Sequence, residues 1–317
     1  MSFIAKIAKK ADKEQLNAFS YYLCNMRRFF LFISVLLPVA VFCACSEEPV
    51  TYLPQGQRIP QWLELPEASF SGNVDFYTHD CNLNGQRVRN YSFCWDYSAR
   101  VSRWVAYPLD KSYLGNVKKY DGWRYDPLVP AAKQPYLPHG YMEGNRGSYD
   151  RGLQLPNSHR SASGDLIETT FYSTNMVPLY KVNGEGVWAQ LEKRIRSWAE
   201  KSDTLYVVSG CVTNGAEYFV YDFDRNKVTV PVAVYKAVLR YKKDSANNNG
   251  GYMGIAFWYD YKDTVESFSR KESLSIAELE KKLGYQLFVN LPAVTGETVA
   301  QQIKNENPGR VGWWWLY

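Results

Sequence analysis

Histidine and cysteine are the residue types best suited to proton transfer or metal binding near neutral pH, and this chain has few of them. The three histidines, His79, His139 and His159, are far apart in the sequence. No cysteine pair forms a Cys-x-x-Cys motif, and no cysteine and histidine have the spacing of a zinc site. The sequence therefore gives no support for a metal centre built on thiolates.

Two of the cysteines flank a turn motif. Cys81 and Cys94 lie on either side of Asn84-Gly85, a pair typical of a two-residue β-hairpin turn. Their side chains would then belong to adjacent strands. In an oxidising compartment they could form a disulfide.

Three motifs between residues 149 and 192 combine arginine, amide and carboxylate side chains. They are residues 149–160 (YDRGLQLPNSHR), 170–178 (TFYSTNMVP) and 186–192 (GVWAQLE). In this order they resemble the DNA/RNA non-specific endonuclease family, the ββα-metal (His-Me finger) nucleases, and the resemblance extends over residues 90–292. It implies an α+β fold in which a central antiparallel sheet is flanked by helices.

The resemblance also implies a chemistry. Hydrolysis of a phosphodiester needs a base to deprotonate water, a divalent cation and positive groups around the phosphate. In the family, the histidine of Asp-Arg-Gly-His is the base, an asparagine binds Mg²⁺, and a glutamate orders water on the metal. By the same resemblance, Arg151, Asn175 and Glu192 are candidate site residues, DNA or RNA is the partner, and Mg²⁺ is the cofactor of an active enzyme.

The sequence departs from the family pattern at two of these positions. Leu153 replaces the base histidine, and Gly184 replaces the metal-binding asparagine. General-base catalysis alone contributes about 10²–10⁴-fold to the rate. We therefore expect the activity to be lost or strongly reduced, and an inactive protein would need no cofactor. We expect nucleic-acid binding to be retained through Arg151, with Lys118 and Lys119 near the expected phosphate cleft.

Two alternatives remain open. In the first, the chain is an active Mg²⁺-dependent endonuclease with relocated groups, His159 as the base and Asn183, one residue before Gly184, as the metal ligand. In the second, it is a non-enzymatic surface lipoprotein that keeps only the fold and binds a partner through the tyrosine-rich loop of residues 115–145.

Hydrophobic patterns predict the elements that position these motifs. Alternating aromatic and β-branched residues favour strands at 73–78, 90–97, 103–107, 204–212, 217–223, 228–241 and 252–259. Apolar residues at helical spacing favour a helix at 187–201. A second helix is expected at 275–283, since Ser275 and Glu278 form a capping box and Gly284 ends the pattern.

The N-terminus reads as a targeting segment. Arg27 and Arg28 precede an apolar run at 29–42, shorter than the roughly 20 residues that cross a bilayer. Small residues and Cys45 follow, as in a bacterial lipoprotein cleavage site. We expect translation to start at Met26 and Cys45 to be lipidated, so that residues 1–44 are an over-extended start plus a signal peptide.

The predicted domain organisation follows from this reading. Residues 45–68, which contain four prolines, form a lipid-anchored tether, and residues 69–317 form a single nuclease-like domain. The membrane is then a partner through the lipid anchor. The expected location is the outer membrane of the cell envelope, and the acidic Ser46-Glu47-Glu48 suggests display on the cell surface. The sequence does not indicate an oligomeric state.

Charge and composition exclude other classes. The chain of 317 residues is 46% hydrophobic and 16% aromatic, so it is not a disordered or low-complexity protein. Its net charge is +5, but residues 1–44 carry six basic and two acidic groups. The remainder has 31 basic and 30 acidic groups. Net charge therefore does not by itself indicate nucleic-acid binding.

Overall fold

The computed structural model describes residues 62–68, 72–117, 122–142, 149–180, 184–243, 250–260 and 268–316. The predicted lipidation site Cys45, the signal peptide, Lys118, Lys119 and Asn183 lie outside these ranges. Within them, no helix is both long enough and apolar enough to cross a bilayer.

A seven-stranded antiparallel sheet forms the centre of the fold. Its order is β1-β2-β3-β6-β9-β10-β11, and two small hairpins, β4-β5 and β7-β8, lie outside it. The strands are β1 (Val74–Leu83), β2 (Gln86–Asp96), β3 (Val101–Leu109), β4 (Tyr149–Leu153), β5 (Met176–Tyr180), β6 (Thr204–Val212), β7 (Phe219–Tyr221), β8 (Lys227–Thr229), β9 (Ala233–Lys242), β10 (Gly251–Asp260) and β11 (Ser273–Leu274).

The β1-β2 turn confirms the predicted hairpin and corrects the predicted disulfide. Asn84 and Gly85 both have positive φ, 54° and 81°, as a type I′ turn requires. Cys94, however, pairs with Phe76, and Cys81 pairs with Val88. The two cysteines are thus offset by five residues along the hairpin, about 16 Å. Both thiols are free.

In the ranges that the structure describes, six α-helices pack around the sheet. They are α1 (Gly164–Thr169), α2 (Ala189–Glu200), α3 (Ile276–Leu283), α4 (Leu291–Thr295), α5 (Glu297–Asn305) and α6 (Trp313–Leu316). The predicted cap of α3 is confirmed, because Ser275 and Glu278 form a capping box and Gly284 is left-handed at the C-cap. A distorted helical turn at Gly184–Trp188 leads into α2.

The two faces of the sheet bury two separate cores. One face packs against α2, the β4-β5 hairpin and the C-terminal tryptophans. The other packs against α3 and α5. Strand β9 illustrates the alternation, since Val234 and Val238 belong to the first core and Tyr235 and Ala237 to the second. The candidate site residues lie on the first face.

The C-terminal tryptophans pack into this first core. Trp314 is fully buried, and its ring centre lies 4.7 Å from that of Trp198 on α2. The Trp198 indole N–H donates a hydrogen bond to the Trp314 carbonyl at 3.2 Å. These contacts show that the C-terminal tryptophan run packs against the domain.

Candidate functional site

The β4-β5 hairpin positions the Asp-Arg-Gly segment. Leu153 pairs with Met176, and Gly152 pairs with Val177. A Cβ atom at Gly152 would lie 2.6 Å from Cβ of Leu179, so only glycine allows the strands to approach this closely. Arg151 and Leu153, two residues apart, share one face of the hairpin.

That face lies against the loop of residues 122–142. The Arg151 guanidinium is half-buried and donates a hydrogen bond to the Leu137 carbonyl at 3.2 Å. Leu153 packs against a small apolar cluster that includes Leu137 and Met176, with Trp123 beside it. An aliphatic side chain therefore occupies the position where the family resemblance places a proton acceptor.

Asn175 fixes the loop that follows β4. Its Oδ1 accepts a hydrogen bond from the Leu155 amide at 2.8 Å. Its amide nitrogen donates to the carbonyls of Leu155 and Thr170, at 2.9 and 2.8 Å. The side chain is fully buried. Asn175 thus holds backbone on both sides of the site, which accounts for its presence without a direct role in chemistry.

Glu192, in the first turn of α2, lies near Lys236, which is not among the site residues predicted from the sequence. The Lys236 ammonium is fully buried. It donates to the Gln154 carbonyl at 3.2 Å and to Ser209 Oγ at 2.9 Å, and it lies 4.1 Å from the centre of the Trp188 ring. This network joins the end of β4 to the start of α2.

Burial controls the charges of this pair. Desolvation raises the pKa of the Glu192 carboxyl, and the Lys236 charge opposes that rise. Desolvation likewise lowers the pKa of Lys236, against the attraction of Glu192. The carboxylate therefore already has a cationic neighbour supplied by the protein.

His159 lies in the core with no exposed surface. Its Nε2 lies 3.0 Å from the Glu192 backbone carbonyl, and its Nδ1 lies 3.1 Å from the Tyr107 hydroxyl. Because a carbonyl can only accept, Nε2 carries the hydrogen and Nδ1 accepts from the tyrosine. Burial lowers the pKa of His159 to about 3. The ring is thus neutral, and this geometry does not favour it as a relocated base.

Two arginines after β4 support this region. Arg160 is fully buried. Its guanidinium donates to the side chain and the backbone carbonyl of Asn90, both at 2.6 Å, and to the Pro108 carbonyl at 3.0 Å. Arg196 on α2 donates to the Gly115 carbonyl at 3.1 Å and to Ser161 Oγ at 3.0 Å. Both side chains hold loops in place around the site.

Some of these supporting residues have a recognisable sequence signal. Lys236 lies in the strand AVYKAVLRYK, where a lysine between apolar neighbours in a central strand must find buried partners. Arg160 has no comparable signal, because its partners Asn90 and Pro108 lie in segments that are distant in the sequence.

The described residues do not assemble a site for a hard divalent cation. No group of three or more His, Cys, Asp and Glu side chains comes together in the part of the chain that the structure describes. The Asn175 amide is engaged by backbone, Gly184 has no side-chain donor, and the Glu192 carboxylate is next to Lys236. A metal ion prefers several oxygen ligands, which this arrangement does not offer.

Comparison with known proteins identifies the family to which this sequence is similar. The family model described as DNA/RNA non-specific endonuclease matches residues 72–294. A nuclease from Nostoc sp. is 28% identical over 222 residues, which is 69% of this chain and 78% of that protein. Mouse mitochondrial nuclease EXOG is 25% identical over 222 residues, 65% of this chain and 57% of that protein. The match thus spans less than two thirds of the mouse protein.

A solved structure agrees on the fold. The crystal structure of the EndoG/EndoGI complex matches with a TM-score of 0.51 and 16% identity, covering 64% of this chain and 84% of that chain. This likeness confirms the predicted α+β architecture with its large antiparallel sheet. Together with the family match over most of the domain, it leads to one conclusion: the chain belongs to the DNA/RNA non-specific endonuclease family.

Proposed function

We propose that this protein binds nucleic acid through the surface around Arg151 and does not hydrolyse it. The observation that carries the proposal is the side chain at position 153. Leucine cannot accept a proton, and here it packs against apolar residues beside Trp123. Neither His159 nor Asn175 supplies a substitute, since His159 is buried and neutral and Asn175 is bound to backbone.

Retention of binding rests on Arg151. A guanidinium offers several N–H donors in a planar fork that matches phosphate oxygens. Arg151 keeps its place on the hairpin through the Leu137 carbonyl and remains half-buried at the surface. The predicted contributions of Lys118 and Lys119 belong to the same proposal.

Salt-dependent binding to duplex DNA tests this proposal. In the presence of EDTA, the affinity of the protein should fall as salt rises, because counterions are released from the contacted phosphates. Arg151→Ala should weaken binding and reduce the slope of log K against log salt by about one. Arg310→Ala, which removes an exposed arginine from a 3-10 turn near the C-terminus, is the charge-matched control. Absence of binding at low salt would refute the proposal.

The alternative of an active Mg²⁺ enzyme rests on His159 and Asn183. The buried ring of His159, with both nitrogens in hydrogen bonds, weighs against its role as the base. The salt experiment distinguishes the proposed nucleic-acid binding from the second alternative, a surface lipoprotein that binds no nucleic acid. Such a protein would show no DNA binding even at low salt, so neither the salt concentration nor Arg151→Ala would have an effect.

We also propose that the protein is a lipoprotein of the cell envelope, anchored through Cys45. This proposal rests on the charged and apolar residues 27–42 followed by small residues and a cysteine. Expression in bacteria with a labelled fatty acid should label the wild-type protein and leave Cys45→Ser unlabelled. Equal labelling of both would contradict the anchor.

A further inference from the structure

An unusual row of aromatic rings lies next to Arg151. Trp123, Tyr125, Tyr136 and Phe223 form a continuous chain of ring contacts, which we call the aromatic ladder. The ring centres of Trp123 and Tyr125 are 4.5 Å apart, and those of Trp123 and Tyr136 are 4.8 Å apart. Tyr125 and Tyr136 stack at 5.8 Å with an interplanar angle of 25°, and Phe223 contacts Tyr136 at 5.6 Å.

The aromatic ladder is a surface feature. Phe223 is 51% exposed, and Trp123, Tyr125 and Tyr136 are half-buried. Isolated exposed apolar residues are common on proteins, but a contiguous group of large rings marks an interaction surface. Because these four partly exposed rings contact one another, they present one continuous aromatic surface to a partner.

The ladder is built on rigid supports. The Phe223 amide donates to the Tyr136 carbonyl at 2.9 Å, and the Tyr136 amide donates to the Asp222 carboxylate at 3.1 Å. Asp126, beside Tyr125, is buried and lies 2.9 Å from His79 Nε2. These bonds hold the rings in place before a partner arrives, which lowers the entropy cost of binding.

Its position connects it to the nuclease-like site. Trp123, at one end of the ladder, packs against the apolar cluster that includes Leu153. Arg151, on the same hairpin face as Leu153, donates to the carbonyl of Leu137, the residue after Tyr136. A strand whose phosphate is held by Arg151 would therefore pass close to the ladder.

Arginine and aspartate side chains both lie beside the ladder. The Arg100 guanidinium donates to the carbonyls of Gln134 and Ala132, so two arginines flank the segment that carries Tyr136. Burial raises the pKa of the Tyr125 hydroxyl, the carboxylates of Asp224 and Asp222 raise it further, and the Arg100 charge opposes them. Cationic groups next to exposed rings are typical of surfaces that bind unpaired nucleic acid.

We propose that the aromatic ladder is a stacking platform for the bases of single-stranded nucleic acid. The proposal rests on the proposed function, because Arg151 supplies the phosphate contact. Base stacking on aromatic rings tolerates all four bases, so the ladder would add affinity for unpaired strands without sequence preference. Duplex bases are already stacked on one another and would not gain this contact.

Two probes with the same phosphate backbone test the platform. We compare a single-stranded thymidine oligonucleotide of about twelve nucleotides, within the usual site sizes, with an abasic strand of equal length, both with EDTA present. The wild-type protein should bind the thymidine strand at least about fivefold more tightly, in line with one stacked base. Phe223→Ala should remove most of this preference and leave the abasic affinity unchanged.

Two control variants and a second ladder variant complete the test. Phe223→Tyr keeps a ring and should retain the preference. Tyr125→Ala should reduce it, as Phe223→Ala does. Trp258→Ala removes a partly exposed ring on β10, whose face lies 5.0 Å from the Lys282 ammonium, and should have no effect on either strand. Melting temperatures of all variants show whether each one is folded.

Each outcome has a distinct meaning. Equal affinity for the two strands would overturn the platform and leave the phosphate binding of Arg151 intact. Binding to neither strand at low salt would overturn the platform and the proposed function together. Binding of a neutral oligosaccharide that Phe223→Ala abolishes, without any preference for thymidine over abasic strands, would assign the ladder to sugars and overturn the proposal.

Discussion

Leu153 and Arg151 point from the same face of one short strand, and their side chains meet the same loop. Arg151 retains a group that can bind a phosphate, while Leu153 supplies only apolar contact. Binding and proton transfer are therefore separable on this strand, because each depends on a different side chain. This separation is the physical basis for proposing binding without hydrolysis.

The buried histidine predicts a pH dependence of stability. His159 has a pKa of about 3 in the folded chain and about 6.5 when unfolded. Below pH 6.5 the unfolded state therefore binds more protons, and stability falls as the pH decreases. Between pH 7.5 and pH 5, we expect His159 to account for a loss of about 2 kcal/mol in the free energy of unfolding.

Urea unfolding of the wild type and of His159→Gln at both pH values measures this effect. The variant cannot be protonated at this position, so it should lose less stability than the wild type by about 2 kcal/mol. If both proteins lose the same amount, the ring is not buried in a neutral form.

The sequence identified some site residues by type but not their surroundings. Arg151, Asn175 and Glu192 are selected by the family resemblance. The structure places the Glu192 carbonyl 3.0 Å from His159 Nε2 and bonds the Asn175 amide to the Thr170 carbonyl. It does not follow from the sequence that Asn175 binds backbone or that Glu192 faces Lys236. Those partners come from segments that are distant in the chain, and only the fold brings them together.

At the scale of elements, the β4-β5 hairpin depends on the Asn175 side chain. This amide makes three hydrogen bonds to backbone groups of Leu155 and Thr170. Asn175→Ala leaves those buried groups without partners, and we expect a loss of about 2–4 kcal/mol in the free energy of unfolding. Asn305→Ala, which removes one exposed hydrogen bond at 2.8 Å, should cost less than about 0.5 kcal/mol.

Denaturant unfolding of the two variants measures the difference. The Asn175 variant should have a lower midpoint with an unchanged slope. A cost equal to that of Asn305→Ala would show that the loop after β4 is held by other contacts.

Elements with strong local signals were predicted well. Strand β6 has the predicted bounds, and α3 begins after the predicted Ser275 cap. The expected long strand at 228–241 is instead two strands, β8 and β9, because Pro231 cannot donate to a ladder. The β4-β5 pairing was missed, since 22 residues separate the two strands and no short turn motif joins them.

At the scale of the whole molecule, a double substitution tests whether the proposed loss of hydrolysis is confined to two positions. If the scaffold is otherwise intact, Leu153→His combined with Gly184→Asn should restore part of the activity. We expect plasmid nicking with Mg²⁺ or Mn²⁺ on the order of 10²-fold above the wild type, the lower end of a general base's contribution. Leu153→Gln with Gly184→Asn is the matched control, because glutamine is polar but is not a base. No gain in the histidine variant would mean that the cleft has diverged beyond these two positions.

The most direct test of the account is the wild-type protein with supercoiled plasmid and Mg²⁺ or Mn²⁺, assayed by gel over several hours. We predict that the plasmid remains supercoiled, as in buffer alone, while the same preparation binds the plasmid in a gel-shift assay at low salt. Nicking that EDTA abolishes would contradict the central claim that Leu153 has ended hydrolysis in this chain.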